Sequence, residues 1–99
     1  MYERILRQMR QAVRARRVQF TSHARDELRA DGLKVEDAFN CILTGEIVKD
    51  QFDARYQQVK YVIYGDSVAG DEMGLIARWD DQAGMVVITV YLLGVDDYD

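Results

Sequence analysis

Cysteine and histidine are nearly missing from this sequence, with one of each, Cys41 and His23, in 99 residues. A lone cysteine closes no internal disulfide, and one cysteine with one histidine builds no metal framework. Disulfide-stapled and zinc-binding classes are therefore excluded, and a reduced, cytoplasmic setting is expected. Set among Phe39, Ile42 and Leu43, Cys41 reads as a small buried hydrophobe rather than a nucleophile. Long apolar runs are missing too. The longest, Met85 to Leu93, has the length of a strand, far short of the ~20 residues of a membrane span. The N-terminus has no apolar core of signal-peptide type and, although rich in arginine, lacks the serines of a transit peptide. Repeats, low-complexity tracts and linkers are not found. About half of the residues are apolar (48%), enough for one folded core. The organisation expected is a single domain over 1–99: a basic N-terminal helix (1–17), a core (18–93) and an acidic tail (94–99).

The net charge of −4 hides a polarised distribution. Residues 1–34 carry nine arginines and lysines against four acids, a local excess of +5, whereas from Gly65 onward Arg78 stands alone against eight acids, a local −7. Nucleic-acid binding requires a positive surface where the phosphates lie, not a positive total.

The apolar periodicity predicts the elements. Tyr2, Ile5, Leu6, Met9, Ala12 and Val13 recur at helical spacing over about Tyr2–Ala15, with Arg4, Arg7, Arg10 and Arg14 on the other side. That arginine face is either plainly solvated or a docking surface for nucleic acid or an acidic partner. Val18–Phe20 reads as a short extended link. Thr21 or Ser22 caps a second helix running to about Ala30, with Gly32 just past its end. A third helix spans about Val35 to Leu43, with Glu36 and Asp37 complementing its dipole. The period then changes, and strands are expected over Glu46–Phe52, Val59–Tyr64, Met73–Trp79 and Met85–Leu93. The last two are joined at Asp80-Asp81-Gln82-Ala83-Gly84, which reads as a hairpin turn rather than a metal site. Being apolar on both faces, the last strand is expected to lie centrally with both faces at least partly covered, its Val86, Ile88, Val90 and Leu92 set toward the helices. The fold class is α+β, two layers, with N-terminal helices packed on a three- to four-stranded antiparallel sheet.

His23 is the leading candidate for chemistry, because an imidazole changes charge near neutrality and this one stands where a helix begins. Asp26 and Glu27, close by in sequence, either orient it or simply favour the helix start. Arg78, isolated among apolar strand residues, either reaches solvent or holds an anion. Thr89 and Tyr91 project to one face of the last strand. Histidine, arginine and tyrosine together suit phosphodiester cleavage without a metal, with proton transfer at His23, charge stabilisation at Arg78 and assistance from Tyr91 and Thr89. The alternative is structural: a hydrogen-bonded histidine after an N-cap and ordinary strand residues. Neither a metal nor a cofactor is expected.

The run Thr21-Ser22-His23-Ala24-Arg25-Asp26-Glu27-Leu28, with Gly32-Leu33, Glu36-Asp37, Gly45-Glu46-Ile47 and the closing Ile88-Thr89-Val90-Tyr91, resembles the domain of unknown function 4258 over roughly Val18 to Leu92. The resemblance implies a RelE/barnase-like arrangement of helices on an antiparallel sheet and a ribonuclease or toxin–antitoxin role, with the family's histidine at His23 and its terminal motif at Thr89 and Tyr91. Asp31 departs from the pattern, which often has a basic residue before that glycine. On this reading Arg7, Arg10, Arg14 and Arg25 contact RNA. The expected partners are RNA or the ribosome and an antitoxin or another protein, with dimerisation as a further option and no membrane. The competing expectation is a non-catalytic protein-interaction module on the same fold.

Overall fold

A computed structural model describes residues 1–94; the acidic tail expected at 94–99 lies, from 95 onward, outside the described residues. The element order is α1 (Glu3–Arg14), β1 (Val18–Phe20), α2 (Ser22–Ala30), α3 (Val35–Thr44), β2 (Glu46–Asp53), β3 (Gln58–Asp66), β4 (Glu72–Asp80) and β5 (Gly84–Leu92). The class is α+β, as the periodicities imply, but the sheet is five-stranded and mixed, in the order β1-β5-β4-β3-β2. The fifth strand is Val18–Phe20, which pairs parallel with Met85–Val87. A three-residue strand carries no period of its own, and its partner lies at the other end of the chain, so the segment looks like a link until β5 is beside it. No helix among the described residues is long and apolar enough to cross a membrane.

Local signals explain the helices. Thr21 Oγ1 accepts from the Ala24 N–H at 3.1 Å, closing the first turn of α2. Gly32, just beyond α2, takes φ +68°, a conformation that costs glycine little. At the start of α3, Asp37 Oδ2 accepts from the Lys34 N–H at 2.8 Å. The apolar stripe of α1 buries Met9, Ala12 and Val13. It meets Ala24 and Leu28 of α2, Ala38, Cys41 and Ile42 of α3, and one face of the sheet built from Ile47, Ile63, Met73, Leu75, Ala77, Met85, Val87 and Val90. Full burial of each large side chain here is worth roughly 1.5–3 kcal/mol. Cys41 is one of them; burial, then Asp66, pushes its thiol up to about 12, so it stays protonated and unreactive.

The β5 strand departs from strict alternation. The β4–β5 register shifts after Ile76, which opposes Thr89, while Ala77 opposes Val87. Ile88 is the extra residue of a bulge. Met85 and Val87 therefore face the helices before the bulge and Val90 after it, so the expected Val86, Ile88, Val90, Leu92 set holds only in its second half. The strand is interior, as expected, but β1 flanks only its first residues. The opposite sheet face carries no helix among the described residues.

The β4–β5 turn is organised by Asp80, whose Oδ1 accepts from the N–H groups of Gln82 at 2.8 Å and Ala83 at 2.9 Å. These backbone donors, with Arg78 behind them, hold its carboxyl below the usual range. A depressed folded value means that the contribution is present above the unfolded carboxylate range and is lost as pH falls through the folded value. Between about pH 6 and pH 3 the wild-type melting temperature is accordingly expected to drop more steeply than that of Asp80→Asn, measured by circular dichroism. Parallel slopes would remove Asp80 from the account.

Candidate functional site at the α2 N-terminus and the β5 edge

Beyond Val87 the outer edge of β5 has no strand beside it, and α2 takes over its hydrogen bonds. The Thr21 N–H donates to Val87 O at 3.0 Å, and Thr21 Oγ1 donates to Ile88 O at 3.1 Å. Glu27 Oε1 accepts from the Val90 N–H at 2.9 Å. The other oxygen of the same carboxylate, Oε2, lies 3.4 Å from His23 Nε2. His23 and Glu27 are one turn apart on α2, which puts them on one stripe. The imidazole is open, with 67% of its side-chain surface exposed, against 27% for Glu27. The result is a chain from main-chain Val90 through a fixed carboxylate to a solvent-facing imidazole. A carboxylate in this position favours one orientation of the ring. Asp26, the other nearby acid, pairs instead with Arg29 at 2.6 Å.

On the uncovered sheet face, Arg78 opposes Val86, Ile76 opposes Thr89, and Gly74 opposes Tyr91. Thr89, Tyr91 and Arg78 do share this face. From Gly74 to Arg78, however, is four residues, about 13 Å along the strand, so Arg78 and Tyr91 sit at opposite ends of it. The Arg78 guanidinium lies 3.5 Å from Asp80. His23 is attached to the outer edge of β5 by α2, and among its polar contacts only Glu27 is within salt-bridge range. The structure thus joins His23 to Glu27 and gathers Thr89 with Tyr91, while Arg78 stands apart.

Tyr91 lies across Gly74: a Cβ at Gly74 would come within 2.7 Å of its ring. Burial, then the adjacent Tyr64 phenol, pushes the Tyr91 hydroxyl up to about 12. It is therefore protonated throughout the neutral range and suited to donating a hydrogen bond, not to removing a proton. Tyr91→Phe is expected to leave the shape of any pH–rate profile between about pH 5 and 9 unchanged; a limb that vanishes with the hydroxyl would contradict this placement.

The arginines divide by role. Arg10 is half-buried and caps α3, its Nε donating to Ile42 O at 3.2 Å and its Nη2 to Gly45 O at 2.8 Å, which engages the group expected to meet RNA. Arg7 and Arg14 are exposed. Arg25 is exposed as well and lies over the Phe20 ring at 5.7 Å. Two partners escaped the sequence: Tyr64, which acquires meaning only through the β3–β4–β5 register, and Gly74, whose isolation inside an apolar strand is a signal of close approach. Among the described residues no three His, Cys, Asp or Glu side chains converge as metal ligands.

Comparison with known proteins gives one match. No curated protein and no solved structure matches the chain significantly. A family model, described as a domain of unknown function, DUF4258, matches residues 20–92. That span takes in the whole α2–β5 arrangement, from Phe20 beneath Arg25 to Leu92 just beyond Tyr91, and the chain belongs to the DUF4258 family.

Proposed function

We propose that this protein is a metal-independent ribonuclease of toxin-like type, acting on RNA free or on the ribosome and held in check by an antitoxin. We read its helices-on-sheet layout as RelE/barnase-like. The observation that carries the proposal is the exposed His23 imidazole backed by a Glu27 carboxylate that is itself anchored on Val90. A histidine kept for structure alone would be expected to turn inward to a main-chain partner; this one faces solvent. In the reaction His23 removes the proton of an RNA 2′-hydroxyl, whose oxygen attacks the adjacent phosphorus. The P–O5′ bond breaks and the 5′-oxygen takes a proton from water, giving a cyclic phosphate and a 5′-hydroxyl, while the imidazolium facing Glu27 later returns its proton to solvent. Thr89 offers a hydroxyl donor on the neighbouring face; Tyr91, leaning over Gly74 toward Tyr64, and Arg78 contribute at longer range; and Arg7, Arg14 and Arg25 attract the phosphates.

The test is degradation of labelled single-stranded RNA in EDTA by the wild type and by His23→Ala, both shown to be folded by circular dichroism. Cleavage by the wild type alone is expected. No cleavage by either, on free RNA and on translating ribosomes, would overturn the reading.

A second reading rests on a different observation. Phe52 and Tyr56 at the β2–β3 hairpin are each 62% exposed, with Val59, the strand partner of Phe52, also open, an apolar group fit for a protein partner or a second copy. Sedimentation of the wild type against Phe52→Ser/Tyr56→Ser tests it: a change in assembly with RNA cleavage absent throughout is the outcome that would favour a non-catalytic module.

A further inference from the structure

The single tryptophan lies on the helix-facing side of β4, and the part of α1 opposite it is built from small or polar residues. Gln8, Gln11, Ala12 and Ala15 follow one another at spacings of three, one and three, which places them on one stripe of the helix. With Trp79 and Arg17 they line a cavity of about 240 Å³. The cavity exists because Ala12 and Ala15 have no side chain long enough to reach the half-buried indole. The Trp79 Nε1–H is already satisfied by Asp81 Oδ1 at 3.1 Å, so what the indole offers a ligand in the cavity is apolar aromatic surface. Two carboxamides, each able to donate and accept, stand at the rim. Arg7 and Arg14 lie roughly 40–60° around α1 from Gln11, and both are exposed and outside every ion pair among the described residues.

We infer that this cavity is a base-binding subsite for single-stranded RNA: one unpaired base lies against Trp79, the Gln8 and Gln11 amides meet its edge, and Arg7, Arg14 and Arg17 meet the flanking phosphates. The inference rests on the RNA reading above and adds a subsite remote from His23. A flat π-face serves any base, and stacking on it combines with a row of cations in single-strand binding. Charge complementarity on the α1 side selects the occupant: the cations there are Arg7 and Arg14, with Glu3 the one acid on α1, while the carboxylate of Asp81 is held on the indole edge by the Trp79 Nε1–H. An acidic peptide would satisfy the arginines but gains little from a flat indole flanked by amides.

Because Trp79 is the only tryptophan, its fluorescence reports on the cavity directly. The experiment titrates full-length His23→Ala, which leaves RNA intact, with a single-stranded oligoadenylate, and repeats the titration with Ala15→Leu added. Ala15 is exposed and stands at the C-cap of α1, so the added side chain fills the cavity without disturbing the core. Saturable quenching that weakens with salt is expected, and Ala15→Leu is expected to abolish the quench and weaken binding roughly tenfold. On the His23-intact background Ala15→Leu raises KM with little change in kcat. RNA that is bound or cleaved with no change in fluorescence and no response to Ala15→Leu overturns the subsite and leaves the ribonuclease reading standing. Neither binding nor cleavage overturns both. Quenching by polyglutamate in place of RNA would assign the cavity to an acidic protein partner and overturn the inference.

Discussion

Gly65→Ala is expected to be the most damaging single substitution, lowering the free energy of unfolding by about 3 kcal/mol or more, out of the 5–15 kcal/mol typical of a domain. Its Cβ would fall on the Cys41 carbonyl oxygen at the C-terminal end of α3, where α3 lies directly on β3. Gly45 makes the complementary approach: a Cβ there would fall on Tyr64 O and within 2.6 Å of Cys41 O. Backbone meets backbone at both positions, so no rotamer change relieves the clash and the helix must lift from the sheet. Lifting would open the layer that buries Cys41, Ile42 and Ile63 and strain the Arg10 bonds to Ile42 O and Gly45 O. Gly32→Ala is the matched control. Gly32 has φ +68° but nothing within 4 Å of an added Cβ, so the cost there is conformational, about 1 kcal/mol. Urea denaturation of the three proteins decides the matter; if Gly65→Ala were no less stable than Gly32→Ala, the close approach of α3 to β3 would not be a constraint.

Much of this architecture was legible in the sequence because its signals are local. The α1 stripe, the Thr21 cap, Gly32 after α2 and the strand alternation from Glu46 onward each depend on residues within a turn or two of one another. What was not legible depends on partners far apart in the chain. Val18–Phe20 becomes a strand only against Met85–Val87, and the Ile88 bulge, which rotates the rest of β5, exists only in the β4–β5 register. In sequence Gly45 and Gly65 merely follow the third helix and the Val59–Tyr64 strand, whereas the structure packs them against the same helix terminus. The site follows the same division. His23 stood out as the one histidine at a helix start, and Glu27, one turn on, was a visible neighbour. That Glu27 spends its second oxygen on Val90 could not be read, because a bond across 63 residues leaves no spacing to detect. Arg10 shows the converse: on the helical wheel it belongs with Arg7 and Arg14, and only the position of α3 turns it into a cap.

Glu27 therefore does two things at once, and variants at 23 and 27 should separate them. Glu27→Ala removes the acceptor for the Val90 N–H in a part-buried setting, and an orphaned donor of that kind costs about 1–3 kcal/mol. Glu27→Gln keeps a carbonyl oxygen for Val90 and is expected to be nearly as stable as the wild type, but it withdraws the negative charge facing His23 Nε2 at 3.4 Å. His23→Ala removes an exposed ring and is expected to change stability by less than about 0.5 kcal/mol. Activity should order differently. On the ribonuclease reading proposed above, His23→Ala is expected to lose RNA cleavage by roughly 10²–10⁴-fold, the usual contribution of a proton-transferring group. Glu27→Gln loses part of that, mainly in kcat, because the imidazolium formed in the reaction is no longer stabilised. The His23→Ala/Glu27→Gln double variant should be scarcely slower than His23→Ala, since a carboxylate that acts through the ring has nothing to act through once the ring is gone. Additive losses in that cycle would mean that Glu27 contributes to cleavage independently of His23. A Glu27→Gln variant with undiminished kcat would leave the carboxylate only its structural duty at the β5 edge.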